Sequence, residues 1–203
     1  MVDWIVIAIE QTGSFGVFLL MLVDNIFPPI PSELIMPLAG FAAARGELSL
    51  VGVFLAGSAG SLSGALIWYG VGRWLGRERL RRFAARHGRW LTLSPAEVDR
   101  VGAWFARRGG VTVLIGRVVP GVRSLISVPA GVAAMPLTPF LVCSTLGTIV
   151  WTGLLTAAGY WLGENYLLVG RFVEPIGNGV LILALVLYLY RVATFEPGTG
   201  ARG

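Results

Sequence analysis

Residues 24–46 read DNIFPPIPSELIMPLAGFAAARG. Three prolines (Pro28, Pro29, Pro31) and a carboxylate (Glu33) interrupt an apolar run that would otherwise suit a membrane-spanning helix. Each proline removes a backbone donor and restricts the residue before it, so 27–32 is not expected to be continuous helix. In hydrocarbon, broken backbone survives only where protein or a water-filled cavity surrounds it. The stretch therefore predicts a re-entrant hairpin whose tip (Pro28, Pro29, Pro31, Ser32) aims Glu33 into a protein-lined cavity. Its arms are 15–23 and 34–44, and the first is far short of the ~20 residues a spanning helix needs. The competing reading is one span over 5–23, interrupted by Glu10.

Composition puts that hairpin in a membrane. The chain has 203 residues, 55% hydrophobic and 13% charged, with mean hydropathy +0.75. A soluble domain carries roughly twice that share of charge. One membrane domain over 1–193 is expected, with 194–203 a disordered Gly/Pro tail. All 16 basic residues are Arg, and ten of them fall between Arg73 and Arg108. Such a cluster marks the cytoplasmic side of a membrane protein. No nucleic-acid module or aromatic–basic interleaving accompanies it, so a nucleic-acid partner is not expected. Cys143 is the only cysteine, which excludes an intramolecular disulfide and a thiolate metal site and leaves a packing role. Asp3 and Glu10 stand where a cleavable signal would be positive, and 1–11 reads as a short interfacial amphipathic helix.

Beyond the hairpin, 48–72 is an uncharged stretch rich in small residues and reads as a spanning helix. The basic segment 76–110 follows. Within it, Ser94-Pro95-x-Glu97 reads as a helix start with a capping box, and the helix through Arg108 is expected to lie on the membrane surface. Residues 111–135 are apolar but hold Arg117, Pro120, Gly121, Arg123 and Pro129, too broken for a plain span. A second long helix covers 137–163, and a last span is expected over about 172–190.

The chain repeats itself. PLAGFAAA (37–44) lies over PAGVAAM (129–135), Leu48-Ser49 over Leu137-Thr138, and YGVGRWLG (69–76) over AGYWLG (158–163). With Gly40 set on Gly131, an offset of 91, Pro29 falls on Pro120. Two repeats of about 13–75 and 111–163 result, each a broken hairpin followed by a Gly-rich spanning helix. One span separates the hairpins, so they enter from opposite faces, as in transporters that place substrate near the midplane at broken helices. The predicted fold is an all-α integral membrane protein with an inverted repeat of hairpin plus transmembrane helix, a C-terminal transmembrane helix and interfacial helices. The basic segment and the C-terminus are expected on the cytoplasmic side.

A charge at bilayer depth costs ~2.5–3.5 kcal/mol or more, so Glu33, Arg117 and Arg123 each need a partner or water. The plain reading is mutual neutralisation that holds the hairpins together. The sharper one is that Arg117 and Arg123 bind an anionic phosphate group, for which arginine's forked donors suit it. Glu33 then becomes a proton-coupling group, since phosphate binding alters its field. Asp24, at the foot of the first arm, reads plainly as a solvated interface residue and more sharply as a second proton-coupling acid.

The motifs FPPIPSE with PLAGF, and IGRVVPGVRSLISVPAG, resemble the DedA family of bacterial inner-membrane proteins, whose pattern also defines the VTT, or SNARE-associated, domain of eukaryotic lipid scramblases. The resemblance covers about 13–163. It implies a lipid flippase or scramblase, including recycling of undecaprenyl phosphate and dependence on the proton motive force. On that resemblance the family's tip acid is Glu33 and its motif arginines are Arg117 and Arg123. The implied partners are anionic or phosphate-bearing membrane lipids and protons, with a homo-oligomer left open. Some members carry a further acid in the return region, where this chain has only Arg45 and Glu47 nearby. Alternatives are a proton-coupled small-ion or solute exporter and a non-transporting assembly factor. No catalytic residue, metal ligand or cofactor is expected, because lipid phosphatase chemistry wants a nucleophilic His or a metal cluster. The only histidine, His87, sits in the basic segment and reads as a solvated surface residue.

Overall fold

A computed structural model describes residues 9, 11–27, 32–91, 94–119, 122–162, 186 and 190. Pro28, Pro29, Pro31, Pro120, Gly121, nearly all of the N-terminal amphipathic segment and of the last span, the tail and the His87 side chain lie outside the described residues. The described chain is all-helical: α1 (Ser14–Ile26), α2 (Ser32–Ala44), α3 (Leu50–Leu91), α4 (Pro95–Val118), α5 (Val122–Leu125), α6 (Ser127–Val132) and α7 (Leu137–Leu162). Leu50–Ala85 within α3, and α7, are long and apolar enough to cross a membrane. Large apolar side chains such as Val51, Leu55, Ile115, Val142 and Leu154 point outward from the bundle, as expected where lipid is the solvent.

Two boundaries differ from the sequence reading. Helix α3 does not stop at Gly72 but continues into the arginines, with a left-handed φ of 66° at Gly76 where the apolar part ends. The helix begun at Ser94 runs past Arg108, where non-helical dihedrals kink it, and becomes the first arm of the second broken segment. Its capping box is present: Ser94 Oγ accepts from the Glu97 N–H at 3.2 Å, and Glu97 Oε2 from the Ser94 N–H at 2.9 Å. Arg77 of α3 grips Asp99 of α4 at 2.9 Å, an exposed pair worth under about 1 kcal/mol.

Each first arm lies along the long helix that follows it. Along α3, contacts of α1 climb in order: Ser14 at Gly52, Phe18 at Gly60, Asn25 at Gly64. Along α7, α4 does the same, with Gly110 at Cys143, then Leu114 and Arg117 at Gly147. Each return arm instead crosses the other long helix. A Cβ at Gly40 of α2 would collide with the backbone of Thr156, and one at Gly159 with that of Pro37. Likewise a Cβ at Gly131 of α6 would collide with the backbone of Tyr69, and one at Gly72 with that of Val128. Between helices in lipid, where burial from water supplies no drive, such close approach provides the dispersion contacts that hold helices together.

Two apolar cores result. One gathers Val17, Met21, Ile35, Met36 and Val53; the other Ala65, Tyr69, Val113, Ala130 and Phe140. Between them along α3 stand Ser58 and Ser61, and along α7 Ser144, Thr148 and Thr152. The hairpin ends meet at this polar level.

Candidate functional site

The last turn of α1 ends in Asp24 and Asn25, both buried. Arg123 lies in α5, just past the second broken tip, and its Nη2 donates to Asp24 Oδ2. The pair joins α1 to α5. Asp24 is therefore no solvated interface residue, only 3% exposed, because α1 runs on three residues beyond the expected arm and carries the acid inward. The backbone of Ser32 and the side chain of Glu33, half-buried in the first turn of α2, lie near enough to act on this carboxylate electrostatically.

Asn25 is fully buried. Its Nδ2 donates to Ser61 Oγ at 3.1 Å and its carbonyl accepts from Trp68 Nε1 at 3.0 Å, which pins the end of α1 to α3. Ser58 Oγ and Thr152 Oγ1 stand 2.8 Å apart and bridge α3 to α7 at the same level.

Arg117, in the last turn of α4, is 1% exposed. Its Nη2 donates to Ser127 Oγ at 3.0 Å, while Nε and Nη1 have no hydrogen-bond partner among the described residues. Its aliphatic stem lies against Gly147 of α7. The Arg117 and Arg123 guanidinium groups are close enough to repel each other. Asp24 neutralises Arg123, whereas the hydrogen bond found for Arg117 goes to a neutral hydroxyl. A buried, incompletely satisfied guanidinium is costly in this setting unless an anion completes it.

The structure thus brings Asp24, Glu33, Ser32, Arg117 and Arg123 to one level of the bundle, while the prolines and Gly121 of the tips lie outside the described residues. Sequence reasoning missed Asp24 as the partner of Arg123, and missed Ser61 and Ser127 as supports; Asn25, read there as a residue that caps or lines the cavity, pins α1 to α3. It also passed over Ser144, Thr148, Thr152 and Thr156, whose four-residue spacing puts one polar line on an apolar helix. Among the described residues no three of His, Cys, Asp and Glu gather as a metal site.

Comparison with known proteins bears on this arrangement. The family model described as "VTT domain" matches residues 30–161. A protein of Lactococcus lactis named "alkaline phosphatase-like protein" is 38% identical over 96% of this chain and 92% of its own. "Undecaprenyl phosphate transporter A" of Staphylococcus aureus is 35% identical over 89% of this chain and 90% of its own. The Bacillus subtilis protein of the same name is 31% identical over 78% of each. No solved structure matches the chain.

Proposed function

The chain belongs to the VTT-domain (DedA) family of membrane proteins, and from that premise we propose that it moves a phosphate-bearing lipid between the leaflets of a bacterial cytoplasmic membrane. The observation that carries this reading is the Arg117 guanidinium, buried at the meeting level of the two hairpins with two N–H-bearing nitrogens unpartnered among the described residues. A phosphate headgroup supplies the missing acceptors and charge. Its acyl or prenyl tail stays in lipid while the headgroup crosses. Relatives named as undecaprenyl phosphate transporters make a polyprenyl phosphate the leading substrate, with phospholipids next.

In this reading the two hairpins are re-entrant halves of an inverted repeat over about 13–75 and 111–163, within one membrane domain. The ordered contacts of α1 along α3 and of α4 along α7 support it, because both arms end partway along the helices they follow. The reciprocal crossings at Gly40 and Gly131 support it further. The basic segment 76–110 and the C-terminus face the cytoplasm, and the first hairpin enters from outside. Asp24 and Glu33 are the proton-coupling acids: a proton taken by Asp24 frees Arg123 for the phosphate, and its loss restores the pair.

Reconstitution into liposomes holding undecaprenyl phosphate or common phospholipids, with and without a pH gradient, tests the reading. Leaflet exchange of the phosphate lipid above empty liposomes is expected, and no exchange of any lipid would refute it. Single cysteines at 30 and 121, in a Cys143→Ser background, should label from opposite sides. The lactococcal relatives' names favour a second reading, hydrolysis of a lipid phosphate. Phosphate released in the same liposomes would establish that one in its place.

A further inference from the structure

Helix α7 presents more to Arg117 than a smooth packing face. Arg117 rests on Gly147, where a Cβ would collide with its stem. Positions 144 and 151 lie one turn to either side of 147, and 148 lies one turn from both 144 and 151, so the four make one broad face. Ser144 Oγ, Thr148 Oγ1 and Trp151 Nε1 are all buried and have no hydrogen-bond partner among the described residues, as with Nε and Nη1 of Arg117. Ser144 and Thr148 are at most 3% exposed.

A helical Ser or Thr hydroxyl commonly bonds back to the carbonyl four residues earlier. Thr152 does so to Thr148, at 2.8 Å, and Thr156 to Thr152, at 2.7 Å. Ser144 and Thr148 do not. A buried polar group left without a partner is costly, and a ligand that supplies the partner would remove that cost. All five unpartnered atoms carry hydrogen to donate, and the guanidinium and indole nitrogens can only donate. A cation fits neither that donor set nor the neighbouring positive charge; an oxyanion fits both.

We infer that α7 forms the second wall of the phosphate site, with Ser144, Thr148 and Trp151 donating to the oxygens of a phosphate group whose charge Arg117 meets. This rests on the reading of Arg117 as the phosphate anchor. The shared chemistry is a phosphate group, whether on a lipid or free.

The full chain in detergent is titrated calorimetrically with farnesyl phosphate, farnesol and inorganic phosphate. Thr148→Val and Ser144→Ala should each weaken farnesyl phosphate binding by roughly 10- to 100-fold, the range for a hydrogen bond to a charged group, and leave any farnesol binding unchanged. Trp151→Phe should weaken it in the same direction. Preference for farnesyl phosphate over inorganic phosphate assigns the site to a lipid headgroup; equal affinity assigns it to the free anion, and either supports the wall. Without ligand, Thr148→Val should unfold at or above the wild-type temperature, since it removes a buried hydroxyl that lacks a partner. If Arg117→Ala loses binding while the three α7 variants bind as wild type does, the second wall is wrong and the anchor stands. If Arg117→Ala also binds as wild type does, the anchor falls and the inference with it.

Discussion

Arg123 of α5 is ion-paired with Asp24 of α1 across 99 residues of sequence, and both side chains are buried. Arg117, six residues before Arg123, lies as deep but, among the described residues, with one hydroxyl as its hydrogen-bond partner. Two arginines of one motif thus have different surroundings: Arg123 is paired with a carboxylate, and Arg117 is the one proposed as the phosphate anchor.

Breaking the closed pair should destabilise the fold. Asp24→Asn leaves a buried guanidinium without its counter-charge, a change that costs about 3–5 kcal/mol where it has been measured in other proteins. The unfolding midpoint of the detergent-solubilised protein should fall clearly. Asp24→Arg combined with Arg123→Asp should recover part of it. An unchanged midpoint in Asp24→Asn would mean that the pair does not hold the hairpins.

For Arg117 the expectation reverses. Arg117→Gln removes a charge that burial penalises, so the midpoint should hold or rise. Exchange of the phosphate lipid should fall by at least about tenfold, the worth of one hydrogen bond to a charged group. Arg117→Lys should not restore it, because an ammonium lacks the forked donor geometry. Full exchange in Arg117→Gln, measured in liposomes, would end the anchor reading.

The helix crossings are sensitive to a single methyl group. Gly40→Ala and Gly131→Ala each push a Cβ into backbone of the opposing helix, and should lower the midpoint by the equivalent of about 1–3 kcal/mol of overpacking. Gly70→Ala is the control: nothing lies within 4 Å of its Cβ position, and the helix propensity of alanine should hold or raise the midpoint.

Helices α2 and α6 end in the same motif, with Glu47 N–H bonding to Ala42 O and Met135 N–H to Ala130 O, both at 3.1 Å. The residue in the left-handed region is Gly46 (φ 80°) in one and Ala134 (φ 54°) in the other. A non-glycine residue there costs roughly 1–2 kcal/mol. Ala134→Gly should therefore raise the unfolding midpoint and Gly46→Ala lower it, as read by thermal denaturation.

Much of this was legible in the chain. Pro28, Pro29 and Pro31 marked the break between α1 and α2, and the glycines at 40, 72, 131 and 159 came into register when the two stretches of sequence were superposed, because a close crossing admits no other side chain. Ser94, Pro95 and Glu97 announced the start of α4 through purely local hydrogen bonds. What stayed hidden depended on distant partners. Asp24 read as an interface acid because nothing near it in sequence reveals Arg123. The reach of α3 past Gly72 was obscured by its change from apolar to Arg-rich residues, which alters the solvent rather than the backbone. The polar line from Ser144 to Thr156 carries no charge and so did not stand out against an apolar helix.

The crossings have a mechanical consequence. Each half clasps the long helix of the other, at Gly40 on α7 and at Gly131 on α3, like two hands gripping opposite wrists. In the proposed transport, rigid-body rocking of these elements would tear both clasps, so access to the centre is expected to change through smaller movements where the end of α1 meets α5, at Asp24 and Arg123.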